Sequence, residues 1–499
     1  MWLHRVVLAA TCLVCTATAA TSSCSPFTAD AGTADGGPAA VAVARDFTIA
    51  IDWPTNVDLD PRTDKRVGKM RVTVTDAADS SRTQVIDPPS VQDGPFTISK
   101  LVTTNLVDVV VELRGFDDRL LGYGERRRWA VDANSVVPVA VRKRLLYVTS
   151  DDRNDGELRV LDMAPLALAE PGIVELQGTA LESLHGPVSI AVTSSGLRVV
   201  QGGTKRLADG GAGDGALEVL ETSSHTAKTI ALPFWPERVA VLDDDRTVLV
   251  APSADTGGPQ ATTFARVDLD TAAVTQIATG VQGGSLATNA LATSPDRKLV
   301  AVVATQHATM DTPFLIVYDV AKGSVLLVNL ALEDARGVGF TTDGKSIVVA
   351  GHVNAGDWGS GMLLFLDASA PGQPTRTISL LATKTKPNGL FIHPDGVHAW
   401  VTNETKYPMP TCCDEMRLVD LVQGVEVLST PQSAFEIASA VRLPYAPNRV
   451  IAGQTDNGND VNGSFVDITN GGALPTKITF QPEGSLGSAN LVTPFGHRL

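Results

Sequence analysis

The chain has 499 residues, 43% hydrophobic and 19% charged, with a formal net charge of -15 at pH 7. This balance describes a packed globular protein, and the acidic excess argues against a nucleic-acid partner, whose phosphates call for a Lys/Arg surplus. With only five cysteines, disulfides cannot be what holds so long a chain together, and a large apolar core has to do it.

Residues 1–24 read as an export signal. Met1-Trp2-Leu3-His4-Arg5 supplies a basic start and Val6 to Val14 an apolar run too short to span a bilayer. Two processing routes stay open. Cleavage after Ala17-Thr18-Ala19 releases a soluble chain, whereas Cys24 followed by Ser25 offers a lipid-bearing first residue, although Thr21 stands where a strong lipobox has Leu. Cys12 lies inside the apolar run and Cys15 directly follows it, and both reflect its composition rather than a redox motif.

Residues 25–45, rich in Ala, Gly, Asp and Thr without an apolar period, read as a flexible tether. Residues 46–143 switch to short alternating strands such as Phe47-Thr48-Ile49-Ala50-Ile51 and Met70-Arg71-Val72-Thr73-Val74, separated by Asp, Gly and Pro. Short strands without helical periodicity predict a β-sandwich. It resembles the immunoglobulin-like or transthyretin-like modules of surface proteins, a likeness of fold only. The basic run Arg126-Arg127-Arg128, backed by Arg142-Lys143-Arg144, reads as a solvated face.

From 144 to the C-terminus a repeat of about 50 residues takes over. One landmark is a strand end closed by an acid: Asp162, Glu221, Asp268, Asp319, Asp367, Asp420 and Asp467. The other is a strand running into a tight turn, as in Leu291-Ala292-Thr293 before Ser294-Pro295-Asp296, or Leu390-Phe391-Ile392 before Pro394-Asp395-Gly396. Each landmark occurs seven times. The first acid has no strand and turn before it, and the last strand and turn has no acid after it, so the ends complete one another. The expected fold is therefore all-β: a seven-bladed β-propeller closed circularly by N- and C-terminal strands, preceded by a small β-sandwich.

Tyr147-Val148-Thr149-Ser150 and Trp400-Val401-Thr402-Asn403, together with Pro394-Asp395-Gly396, resemble the Tyr-Val-Thr-Asn signature of seven-bladed repeat propellers of bacterial envelopes. The resemblance covers about 350 residues, and its motifs encode strands and turns. It implies the fold, and it extends to propeller lactonases and quinoprotein-like dehydrogenases without implying any catalytic residue.

The seven acids are expected to accept hydrogen bonds from their own turns rather than to share a metal. The stretches 151–156 and 456–460 have the composition of calcium loops without the ligand pattern. No G-x-S-x-G, H-E-x-x-H, P-loop or helix-opening G-x-G-x-x-G occurs. The long connections between second and third strands, residues 201–216, 251–263, 304–313, 350–361, 403–415 and 453–463, should emerge on one face, which becomes the candidate binding surface. Two of them carry His352, Asp357 and Trp358, then Asn403, Tyr407, Cys412 and Cys413. Trp and Tyr favour binding hot spots, and the adjacent cysteines are expected as a vicinal disulfide or as two free thiols. His307, His393 and His398 read as scattered single residues. A second candidate is a polar ring where the innermost strands begin: Glu237, Asn289, Arg336, Asn388 and Ser439.

The resulting expectation is a binding or scaffolding propeller outside the cytoplasm, periplasmic, secreted or lipid-anchored. Its partner is a protein or small molecule, and no cofactor, metal or catalytic residue is assigned. Membrane contact is expected only through a lipid on Cys24. The alternatives are an enzyme with a lactonase-like or redox site at the channel mouth, and a structural envelope protein.

Overall fold

A computed structural model describes residues 41–91, 93–116, 118, 120–132, 134–150, 158–163, 173–175, 184–208, 211–242, 245–254, 261–282, 284–306, 313–353, 360–383, 385–405, 413–429, 436–443, 446–455, 465–467, 476–478, 480–481, 489–492 and 497–498. Among these residues the only non-strand element is a short 3-10 turn, Pro61–Thr63, so the protein is all-β. No described helix is long and apolar enough to cross a membrane.

The strands up to Lys143 form two sheets. In the first, Val43–Asp52 lies between Phe96–Thr103 and Val136–Ala140, pairing antiparallel with one and parallel with the other. The second carries Val67–Asp76 and Leu106–Gly115 at its centre. Inward residues of both sheets, including Phe47, Ile49, Val72, Ile98, Val109 and Val139, share one core. Alternation drives the arrangement: Leu106–Gly115 buries every second residue. The first strand opens at Val43, inside the stretch expected to be a tether.

From Leu145 onward the described strands form seven sheets of four or five strands. The first contains Leu145–Ser150, Leu158–Asp162 and Ile173–Glu175, and the second runs Leu184–Val192, Arg198–Arg206, Ala212–Glu221, Ala227–Ala231. The third to seventh begin with Pro236–Val241, Leu286–Thr293, Asp334–Phe340, Thr385–Ile392 and Glu436–Leu443. Ala489–Val492 joins the first sheet as an antiparallel neighbour of Leu145–Ser150. His497–Arg498 pairs with Val441 and Arg442 of the seventh sheet. The first strands of sheets two to seven lie against one another in chain order, and Ala489–Val492 touches both Glu436–Leu443 and Leu184–Val192. Apolar residues fill each layer between neighbouring sheets; for example, Val348 and Ala350 of the fifth sheet meet Leu390, Ala399 and Val401 of the sixth. This arrangement of sheets is propeller-like.

Strand direction divides the ends of the sheets. First-to-second and third-to-fourth turns share one end, and the second-to-third loops share the other. The two-sheet module docks on the turn end. Thr55 and Asn56 donate backbone N–H bonds to Ser223 O at 2.9 and 3.0 Å, and Leu59 is fully buried among Leu145, Tyr147, Val160 and Ile190. Arg142 is wholly buried and donates to Thr222 Oγ1 (2.9 Å), Asp52 O (2.9 Å), Val141 O (3.0 Å) and Asp52 Oδ2 (2.7 Å). Arg126 stacks over Trp129 at 4.2 Å and lies 4.0 Å from Asp245 in a turn of the third sheet. The expectation of a solvated basic face is corrected at Arg142, because a guanidinium can be buried when its fork of donors is matched by fixed oxygens, and in part at Arg126, which is half-buried against Trp129.

Candidate functional site

The turn-forming acids behave as local backbone chemistry predicts. Asp268 accepts from the N–H groups of Asp270 and Thr271 at 3.0 and 2.8 Å, and Asp420 accepts from Val422 and Gln423, both at 2.8 Å. Asp319 and Asp367 cap their turns in the same way. The Thr271 amide is the main reason that the Asp268 carboxyl falls to about 2. These carboxylates are committed to turns, and among the described residues no group of three His, Cys, Asp or Glu side chains is placed to hold a metal.

The polar positions at the start of the innermost strands share one backbone feature. The pairing of first and second strands slips between Pro236 and Arg238, Thr288 and Ala290, Ala335 and Gly337, and Pro387 and Gly389. Glu237, Asn289, Arg336 and Asn388 are therefore the residues left out of the ladder, each at a β-bulge that re-aims its side chain. In the seventh sheet the slip falls between Ile437 and Ser439, so Ala438 takes the bulge and Ser439 pairs with Gly453, which corrects the sequence alignment by one residue. One of the four side chains stitches sheets together directly, and another does so through its neighbour. Asn289 Nδ2 donates to Ala335 O of the next sheet at 2.8 Å, and Glu237 holds Arg238 at 2.9 Å while Arg238 reaches Asn289 O at 3.2 Å. Arg336 is exposed and paired with Asp334 at 2.7 Å, and Asn388 is half-buried.

These bulges lie at the loop end, opposite the docked module. Second and third strands continue further into the expected loops than the sequence suggested. Residues 201–206 and 212–216 are strand, and strands also cover 350–353, 403–405 and 413–415. Asp357, Trp358, Tyr407 and Cys412 lie outside the described residues, as does Cys24. Cys413 opens the strand Cys413–Asp420, so the disulfide expectation is not addressed by the described part.

His352 and Asn403 are brought to one place. Val348 and Ala350 face the sixth sheet, and two residues on, by alternation, so does His352. Ala399 and Val401 face the fifth sheet, and so does Asn403. Both side chains thus enter the same inter-sheet layer at its loop end, His352 being 5% exposed and Asn403 0%. Burial lowers the His352 pKa below its ordinary 6.5; Asp334, its cross-strand neighbour, opposes this, and the Lys386 charge reinforces it. Neutral imidazole is the result at neutral pH. Asn403 Nδ2 reaches Val401 O at 3.4 Å, whereas its Oδ1 is buried without a hydrogen-bond partner. Asp334 escaped sequence reasoning because it reaches the layer from a strand other than those carrying His352 and Asn403, and Lys386, opposite Glu404 in the sixth sheet, acts on His352 through its charge.

His393 and His398, expected as isolated residues, share the Oδ2 of Asp395 at 3.0 and 2.6 Å on the turn end. Burial opposes ionisation of Asp395, yet the His398 ring and the amides of His398 and Val397 prevail and hold it at about 2.

No protein-family model matches the chain, and no curated protein matches it. Solved structures do. A hydrazine synthase of Kuenenia stuttgartiensis is 15% identical over 59% of this chain and 80% of its own, with a TM-score of 0.44. A Bacteroides fragilis protein assigned as a 6-phosphogluconolactonase is 12% identical over 70% and 98%, at 0.49. A chain of the Mitotic Checkpoint Complex is 12% identical over 58% and 77%, at 0.40. At such scores these likenesses carry no argument about activity, and the fold rests on the sheets themselves.

Proposed function

We propose that the seven sheets are blades of a single ring, closed where Ala489–Val492 lies beside Leu145–Ser150, and that the preceding module is an immunoglobulin-like or transthyretin-like sandwich capping the turn end. On this reading the protein is an exported, non-catalytic binding propeller. Its ligand site is the loop-end layer between the fifth and sixth sheets. The observation that carries the reading is Asn403 Oδ1, a buried acceptor with no partner. Leaving such a group unsatisfied costs about 1–3 kcal/mol, and native proteins retain few such groups without a use for them. The ligand class that fits is small and polar. It offers a hydroxyl or N–H donor to Asn403, with neutral His352 beside it.

Asn403→Leu tests the idea, because it removes the uncovered acceptor at similar volume. The variant should be more stable than wild type without ligand, by about 1–2 kcal/mol. It should also lose the thermal stabilisation that sugars, hydroxy acids or short peptides confer on wild type. A variant that is destabilised and keeps every ligand response would refute the site. Turnover by the same protein in parallel lactonase and redox assays would favour the enzymatic alternative.

A further inference from the structure

Gln201 and Glu218 are directly paired residues on the second and third strands of the second sheet. Both are buried, at 2% and 0% exposure, and Gln201 Nε2 donates to Glu218 Oε1 at 2.6 Å. The other oxygen of each group, Gln201 Oε1 and Glu218 Oε2, has no hydrogen-bond partner. An ionised carboxylate only accepts, and an amide brings one oxygen and one NH2 group. With Glu218 ionised, the pair therefore holds more buried oxygens than its single donor group can cover, and exchanging the amide N and O changes nothing in that count. One added proton resolves it. Placed on Glu218 Oε2 and donated to Gln201 Oε1, it closes a two-bond ring between acid and amide with no oxygen left over.

We propose that Glu218 is a protonated carboxylic acid in the folded protein and that the acid–amide pair is a proton-operated latch in the layer between the first and second sheets. Burial acts in the same direction, raising the Glu218 pKa above its ordinary 4.5, while the Gln201 bond opposes it. Val199 and Leu220, on the same side of the second sheet by alternation, pack against Leu145, Tyr147, Leu158 and Val160 of the first. The first sheet is also the one that Ala489–Val492 joins. The titratable and charged groups nearby are Tyr147, whose hydroxyl meets His225 Nε2 at 3.1 Å, His185 on the first strand of the second sheet, Lys205 four residues after Gln201, and Arg159 and Asp162 on Leu158–Asp162. The fourth strand contributes Thr229 opposite Glu218, and Arg142 approaches at Thr222.

The sign follows from linkage. The folded state keeps a proton that the unfolded chain releases near 4.5, so the latch contributes fully below that pH. Its contribution is lost as pH rises through the higher folded value. Glu218→Gln is a neutral isostere of the protonated acid, and its NH2 can donate to Gln201 Oε1. Urea unfolding of the full chain and this variant, from the ordinary carboxyl value up to alkaline pH, reads the difference. Wild type should lose stability relative to the variant as pH rises, each pH unit below the folded value changing the ratio of unfolding constants by up to about tenfold. His225 and the other groups titrate alike in both proteins and cancel. Parallel curves would overturn the proposal. So would a neutral-pH infrared spectrum in which wild type lacks a protonated-carboxyl stretch that the variant removes. Stabilisation of wild type alone by added sodium, potassium or calcium at high pH would show an ionised carboxylate holding a cation, which also overturns it.

Discussion

Replacing Arg142 with Met should loosen the two-sheet module from the propeller. The guanidinium makes four hydrogen bonds, to Thr222 Oγ1, Asp52 O, Val141 O and Asp52 Oδ2, at 2.7 to 3.0 Å, and none of its side chain is exposed. Full additivity would overstate the loss, because the partners retain other options. The Asp52 carboxylate is 47% exposed and can be rehydrated, Asp52 O keeps the Val141 N–H at 3.1 Å, and Thr222 Oγ1 still donates to Gly196 O at 2.6 Å. Removing one partner of a buried ion pair typically costs about 3–5 kcal/mol. With Met preserving the apolar stem contacts, the lower end, about 3 kcal/mol, is expected, roughly a hundredfold in the unfolding constant. Arg142→Lys should lose nearly as much, because a point charge cannot reproduce the planar fork. Urea unfolding followed by tryptophan fluorescence, with limited proteolysis of the segment around Thr55, measures both effects. Wild type should unfold in one transition, whereas the Met variant should show early cleavage and a separate first transition. An unchanged midpoint with a single transition in both variants would refute the junction as a stability element.

His225 carries a second prediction. Burial, reinforced by the Arg142 charge, depresses its pKa from 6.5 to about 4, so the unfolded chain protonates first as the pH drops. The stability it supports is present above 6.5 and is lost between 6.5 and about 4. His225→Asn, which tolerates the φ of 56°, should flatten that decline in a pH series of thermal melts; an unaltered decline would contradict it. The proposed ring closure is tested by deleting residues 489–499. This removes one strand partner of Leu145–Ser150 and one of Val441 and Arg442 and exposes two strand edges. Aggregation or a much lower melting temperature is expected on light scattering and calorimetry, and a cooperative melt at the wild-type temperature would count against closure.

The seven-fold recurrence of strand, tight turn and terminal acid was legible in the sequence because each is a local rule. Asp268 caps amides two and three residues ahead, and Pro394-Asp395-Gly396 bends within its own hairpin. The polar bulge positions were half legible. Their recurrence at Glu237, Asn289, Arg336 and Asn388 showed in the repeat, but the bulge itself did not, and at the seventh sheet the alignment slipped from Ala438 to Ser439. Sequence by itself determined which segments are strands, where they turn and that they repeat, since φ/ψ preference and side-chain alternation act over two to five residues. Tertiary structure alone decided the fate of the charged and amide groups. Arg142 meets Thr222 across 80 residues, Gln201 meets Glu218 across 17, and Arg126 reaches Asp245 on another sheet. Whether such a group is solvated, paired or protonated depends on which surface the remainder of the chain folds over it, and that burial is a property of the packed layers rather than of any local window.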